Sequence, residues 1–156
     1  MRTWLFALLL CGLVVQWPTR GQASSEGVGV RLVPVSAQAS SSSDPDSGAD
    51  KAVDNNPQTR WSSLSTDREW LTVDLGEEKT IGGVTLVWEA ACGEVYQIQL
   101  SADGQTWFVA FTETAGEPGT RHIAFTPVSG RYVRMHGVKR KTEWGYSLWE
   151  FEVFGR

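Results

Sequence analysis

The sequence has few of the residues that build reactive centres. It holds two cysteines and two histidines in 156 residues. Cys11 falls in an N-terminal apolar run, so Cys92 stands alone in the remainder and no intrachain disulfide can form there. A lone Cys92 reads as a small residue packed at a strand end rather than as a nucleophile. His122 and His136 are isolated on strand-like patterns, which favours structural roles. No metal-hydrolase spacing, nucleophile elbow or phosphate-binding loop occurs. Glu150 and Glu152 share a strand face and superficially suggest a carboxylate pair, but nothing around them implies a pocket. There is no internal repeat and no long stretch with apolar residues at helical spacing.

An excess of basic charge is also missing. The short positive start at Arg2 and the apolar run from Trp4 to Val15 read as an export signal. Gly21-Gln22-Ala23 supplies small residues for cleavage after Ala23, so residues 1–23 are assigned as a signal peptide and 24–155 as the domain. The run is too short to span a bilayer comfortably. Cys11 raises a lipoprotein reading, against which the bulky Leu10 before it counts. Without the signal, twelve basic and eighteen acidic side chains remain, a net charge of −6. That balance argues against nucleic acid or an anionic membrane as the main partner.

The chain is rich in two residue types, with eight Trp and sixteen Gly. Trp fills cores and interfaces, and Gly suits a turn-rich fold. Val28 to Val33 is the first strand candidate, and Ala39 to Asp50 reads as a Ser/Asp/Gly-rich loop. Leu71 to Leu75 alternates with period two and stops at Gly76. Further strands are expected at Ile81 to Trp88, Val95 to Leu100, Trp107 to Phe111, His122 to Phe125, Tyr132 to Met135 and Leu148 to Phe154. Ala102-Asp103-Gly104-Gln105 is a hairpin turn. About eight strands at this spacing predict an all-β fold, an antiparallel β-sandwich or jelly roll. The first and last strands are expected to pair.

Four segments in order carry a family resemblance. They are Ala52-Val-Asp-Asn-Asn-Pro-Gln-Thr-Arg-Trp61, Trp70-Leu-Thr-Val-Asp-Leu-Gly76, Ser101-Ala-Asp-Gly-Gln-Thr-Trp107, and Arg131-Tyr-Val-Arg-Met135 with the ending Trp144 to Gly155. Together they resemble the discoidin (coagulation factor type C) superfamily, a galactose-binding-like fold, and within it the family-32 carbohydrate-binding modules. The resemblance spans about Val28 to Gly155. Leu86 to Ala91, Tyr96 to Gln99 and Trp144 to Glu150 are similar to modules linked to bacterial chitosanases and β-glucanases.

Asp54, Asn56 and Thr59 sit on one tight loop. Calcium takes about six to eight oxygen ligands, and the resemblance implies a structural calcium ion. Its ligands would be backbone oxygen near Lys51, Asp54, Asn56, Thr59 and Glu150 from the last strand. The alternative is that Asp54 simply accepts N–H bonds in its own turn. The family commonly has Gly where this chain has Asn55, and Asn tolerates the left-handed conformation.

A sugar presents hydroxyls and a shallow apolar face, so its site needs polar groups beside an open aromatic ring. Trp61, Trp88 and Trp107 read as core; Trp70 opens a strand and is left unassigned. Trp144 lies in a polar, basic loop with no apolar periodicity, which fits exposure at a binding surface. Arg140 and Tyr146 can add hydrogen bonds there. The resemblance places the matching Glu89 and the loop aromatic on the sugar. The related modules carry further acids where this chain has Ser43 and Ser65; Asp44, Asp46 and Asp67 lie nearby but shifted, and of these Asp44 and Asp67 are taken as candidate sugar contacts. Family galactose binders often use a loop His, unlike the two here. The expected function is non-catalytic binding of a polysaccharide or oligosaccharide (β-glucan, chitosan-like or galactose-type) outside the cell, secreted, periplasmic or at the cell surface. A protein-binding or adhesion domain is the alternative, and a separate glycoside hydrolase is a candidate partner. The mostly polar loops argue against membrane lipid.

Overall fold

The structure, a computed structural model, describes residues 29–156. The export signal, Cys11 and the start of the first strand candidate at Val28 lie outside the described residues. The strands are β1 (Val30–Leu32), β2 (Ser36–Ala39), β3 (Trp61–Ser62), β4 (Trp70–Trp88), β5 (Gly93–Ser101), β6 (Phe108–Glu113), β7 (Gly119–Arg140) and β8 (Ser147–Gly155). A single 3-10 turn, Ala49–Ala52, is the helical element among the described residues.

All eight strands pair antiparallel in one continuous sheet, ordered β1-β8-β4-β7-β5-β6, with β2 on β4 and β3 on β8. The sheet folds over itself because β4 and β7 are 19 and 22 residues long, far beyond the usual strand. Each bends from one layer into the other. In β4 the register shifts between Asp74 and Lys79, where Gly76 takes a φ of 80°. Before the bend, Trp70–Asp74 lies between β2 and residues 132–136 of β7, which in turn pair β5. After it, Ile81–Trp88 lies between β8 and residues 119–128 of β7.

Period-two alternation fills the space between the layers. Leu71, Val73, Ile98, Leu100, Val133 and Met135 point inward from one layer, and Leu86, Phe151 and Val153 from the other. Trp61 and Trp88 join them, fully or almost fully buried, as the sequence predicts. Trp88 packs on Tyr96 with ring centroids 5.2 Å apart. Cys92 is buried and free, and burial pushes its thiol up, as suits a packing residue. The first and last strands do pair, Val30 opposite Gly155 and Leu32 opposite Val153.

Two expectations change. Trp107 is not core. It precedes the outer strand β6 and lies half-buried on the outside of the sheet, with the Arg134 guanidinium 3.8 Å from its ring centre. The strand count is right for a different reason. Leu71–Leu75 and Ile81–Trp88 are halves of one strand, and so are His122–Phe125 and Tyr132–Met135. Ser36–Ala39 and Trp61–Ser62 make up the number.

Candidate functional site

Four connecting segments meet at one end of the sandwich: residues 40–47, 63–69, 89–92 and 141–146. A buried carboxylate ties the first two together. Glu69 accepts hydrogen bonds from Ser40 Oγ, from Ser41 Oγ at 2.6 Å and from Thr66 Oγ1 at 2.5 Å. Burial pushes Glu69 up, and the three hydroxyls more than offset it, so its carboxyl sits below the usual value. The Ser41 carbonyl takes the Trp61 indole N–H at 2.9 Å, which locks that loop onto the core.

The fourth segment carries Trp144, 64% exposed. Its backbone is held from below. Arg140 donates from Nη1 to the carbonyl of Glu143 at 2.9 Å, and from Nε to Asp67 Oδ1 at 2.9 Å. The Tyr146 hydroxyl donates to the Asp67 carbonyl at 2.7 Å, and Tyr146 N to Ser63 Oγ at 2.8 Å. Gly145 is required here, because a Cβ would lie 2.5 Å from both the Leu64 carbonyl and Ser63 Oγ. The ring is thus displayed on a rigid platform.

Beside Trp144 opens a cleft of about 420 Å³ lined by Ser43, Arg60, Ser63, Ser65 and Glu89 among others. Glu89 follows β4 directly. Its Oε2 accepts the Ala91 N–H at 2.8 Å, and its own N–H bonds the Ser147 carbonyl at 3.0 Å. No described residue bonds its Oε1. Arg60 rests over the Trp149 ring, 5.1 Å from its centre, and Nε donates to Ser62 Oγ at 3.3 Å. Sequence reasoning missed Arg60. The usable signal was alternation: Trp61 points into the core, so Arg60 and Ser62 point out.

The structure therefore brings Glu89 and Trp144 together and gives the other expected sugar contacts different work. Tyr146 is fully buried, its hydroxyl is already engaged, and burial raises its phenol. Arg140 braces the Trp144 loop. Asp67 is spent on Arg140, whose hydrogen bonds hold its carboxyl low. Asp44 accepts Ser47 Oγ at 2.7 Å, Ser43 Oγ at 3.0 Å and Asp46 N at 2.9 Å in its own turn, so it is a turn-former. Neither acid lines the cleft. Ser43 and Ser65 do.

The second expected cluster lies on the loop after the 3-10 turn. Asn55 has a φ of 59°, the left-handed conformation foreseen for it. Asp54 Oδ1 accepts the Asn56 N–H at 2.9 Å, and Oδ2 accepts Thr59 Oγ1 at 2.8 Å. Thr59 Oγ1 is also 3.1 Å from the Asn56 carbonyl. Lys51 sits in the 3-10 turn, its Nζ 3.2 Å from Asp50. From β8, Glu150 brings a buried Oε2 with no hydrogen-bond partner. Burial first, and then the Asp54 carboxylate, push Glu150 up. An orphaned buried carboxylate oxygen close to a second carboxylate is costly unless a cation joins them. The donors are all hard oxygens, which suits calcium. Among the described residues no three His, Cys, Asp or Glu side chains gather at one point, as a transition-metal site would need.

Comparison with known proteins identifies the family of this chain. A selenomethionine-labelled variant of chitosan-binding module 1 from the chitosanase/glucanase of Paenibacillus sp. IK-5 is 42% identical, with a TM-score of 0.78 over 81% of this chain and 99% of that one. Module 2 of the same enzyme, solved with chitotriose, is 36% identical, with a TM-score of 0.76 over 80% of this chain and 98% of that one. A polysaccharide lyase 8 family protein, HylA, of Enterococcus faecalis is 35% identical over 113 residues, which is 67% of this chain but only 8% of the lyase. The F5/8 type C domain model matches residues 36–151. The chain belongs to the F5/8 type C, or discoidin, domain family.

Proposed function

We propose that this chain is a non-catalytic carbohydrate-binding module whose site is the cleft between Glu89 and Trp144. The observation that carries the reading is Trp144: a large aromatic, mostly exposed, on a loop fixed by Arg140, Asp67 and Gly145. An exposed ring held still presents a sugar-sized apolar face without ordering cost on binding. The serines and Glu89 around it supply donors and acceptors for hydroxyls. Two relatives described as chitosan-binding, one solved with chitotriose, support the same reading.

The ligand follows from the charge of the cleft. Glu89 and Arg60 both line the cleft among serines, and by the family resemblance Ser43 and Ser65 replace acids of the chitosanase-linked modules. One carboxylate beside one guanidinium is a poor receptor for a polycation. A neutral β-linked oligosaccharide suits it better than fully deacetylated chitosan. Affinity electrophoresis against neutral β-glucan, chitosan and galactan tests this. Neutral glucan should retard the protein, and Trp144→Ala should abolish the retardation. Equal retardation of parent and variant would remove the site.

Asp54, Asn56, Thr59, Glu150 and the Lys51 carbonyl are assigned to a structural calcium ion tying the loop to β8. Adding calcium to chelator-treated protein should raise the melting temperature. A Glu150→Gln variant should lose that response while remaining folded. No response in the parent would leave Asp54 a turn-former only. The module has no catalytic role in this reading, and it acts outside the cytoplasm. Recovery of a mature form from the culture medium or periplasm would test the location.

A further inference from the structure

A second cleft, of about 330 Å³, lies on the outer face of the layer formed by β2, the first part of β4, the last part of β7, and β5. Its composition follows from register. Leu71 and Val73 point into the core, so Trp70, Thr72 and Asp74 point out. Val133 and Met135 point in, so Tyr132, Arg134 and His136 point out. Pairing sets Gln38 beside Thr72, Thr72 beside Arg134, and Arg134 beside Gln99. Trp70, Trp107 and Tyr132 give the cleft aromatic walls, and Ser36, Gln38 and Thr72 give it hydroxyls and an amide.

Charge singles out Arg134. The other guanidinium nearby, Arg131, is neutralised by a two-pronged pair with Asp74, Nε to Oδ1 at 2.8 Å and Nη2 to Oδ2 at 2.9 Å. Arg134 has no carboxylate partner among the described residues. Nε and Nη2 donate only to the neutral Gln99 Oε1, at 2.9 and 2.5 Å. Gln99 Nε2 in turn donates to Gln97 Oε1 at 2.8 Å, which fixes which way the Gln99 amide faces. The guanidinium carbon lies over the Trp107 ring, 3.8 Å from its centre. A guanidinium carries five N–H donors, so those not aimed at Gln99 remain for a ligand. In a chain of net negative charge, an immobilised, half-buried cation served only by neutral partners is a prepared receptor for a planar anion.

We propose that this cleft is a second ligand site, distinct from the Glu89–Trp144 cleft, that takes a uronate-bearing segment of an acidic polysaccharide. The sugar carboxylate pairs with Arg134, a sugar face lies against Trp70, and Ser36, Gln38 and Thr72 meet the hydroxyls. The two sites then divide by charge, one for a neutral and one for an acidic sugar.

Calorimetric titration of the mature chain with a tetrameric oligogalacturonate, and with the same oligomer after reduction of its carboxyl groups, tests the proposal. The uronide should bind more tightly than its reduced form by about tenfold, and the preference should shrink with salt. Trp144→Ala should leave uronide binding intact. Gln38→Glu puts a negative charge on the exposed rim without touching the core, and should weaken uronide binding by about tenfold at an unchanged melting temperature. Neutral-glucan binding should survive Gln38→Glu, which separates this site from the apical one. The proposal is overturned if Trp144→Ala abolishes uronide binding, because the uronide then sits at the apex. It is equally overturned if the reduced oligomer binds as well, if Gln38→Glu has no effect, or if no uronide binds.

Discussion

Trp144 and Trp107 are both tryptophans served by an arginine, and they are held in opposite ways. Arg140 passes beneath the Trp144 loop and spends its donors on backbone carbonyls and Asp67, so the indole itself is left open. Arg134 lies on the Trp107 indole, so the ring is covered and the guanidinium is the open group. The apical cleft therefore offers a bare aromatic face with little net charge. The sheet-face cleft offers a charge on an aromatic bed. The supports differ as well. The apex is made of loops held by side-chain hydrogen bonds, those of Glu69 on one side and those of Arg140 and Tyr146 on the other. The sheet face is made of strand residues held by backbone register. The lesson is that one module can carry two chemically distinct clefts on different supports, which meet at Ser40, whose Oγ donates to Glu69 and accepts the Trp70 N–H at 2.9 Å.

That contrast can be broken most severely at Glu69. Replacing it by Ala removes three hydroxyl bonds and leaves residues 40–47 tied to residues 63–69 through the Leu64 N–H to Ser41 Oγ bond alone among the side-chain ties described. The expected cost is about 3 kcal/mol of folding stability, read by urea unfolding. Below the transition, neutral-glucan binding should be lost and oligogalacturonate binding kept. Parent-like glucan affinity in that variant would mean that the apical loops do not depend on Glu69.

Trp144→Ala comes next, with about 2 kcal/mol of glucan binding lost and no change in melting temperature, since the side chain is mostly in solvent. Asp67→Ala should follow with a smaller loss. It frees Arg140 and leaves Trp144 in place but mobile, so the dissociation rate should rise while the indole fluorescence stays that of an exposed ring. If Asp67→Ala were as damaging as Trp144→Ala, Asp67 would itself touch the sugar.

The sequence is legible where its physics is local. Alternation identified β5 and β8 nearly to their ends, and Ala102 to Gln105 announced the hairpin. The polar loop around Trp144 announced an aromatic with no core to enter, and Asn55 announced a left-handed turn. Legibility fails where a role is set by partners far along the chain. Tyr146 reads as a surface group in its loop, yet it is buried, because the Asp67 carbonyl, 79 residues away in sequence, takes its hydroxyl. Arg140 and Asp67 read as sugar contacts because neither side chain shows its partner, 73 residues distant. Trp107 reads as core because a tryptophan beside a strand usually is, and only the register of β5 on β7 brings Arg134 to cover it. β2 was missed because Ser36-Ala-Gln-Ala39 is too polar to mark itself as a strand. Its pairing with Trp70–Asp74 makes it one.

The hairpin between β5 and β6 gives the mildest test, and it bears on the sheet-face cleft alone. Asp103 Oδ1 accepts the N–H groups of Gln105 and Thr106, both at 2.8 Å, and Ser101 Oγ at 2.9 Å. The two backbone bonds, then Ser101, lower its carboxyl from an ordinary 3.8 to about 2. A carboxyl depressed on folding stabilises the native state above its unfolded value, and that contribution is lost as pH falls through the folded one. Asp103→Asn should therefore melt at a lower temperature than the parent from neutral pH down to about 5. The gap should close between about pH 4 and pH 2, as the parent's own carboxyl is protonated. Gly104, at φ 73°, lies at the tip of this turn beside Tyr132. Loosening it should soften oligogalacturonate binding slightly and leave glucan binding unchanged. A gap that stayed constant down to pH 2 would show that Asp103 is not holding the turn through its charge. An effect on glucan binding would show that the two clefts are mechanically linked through β5.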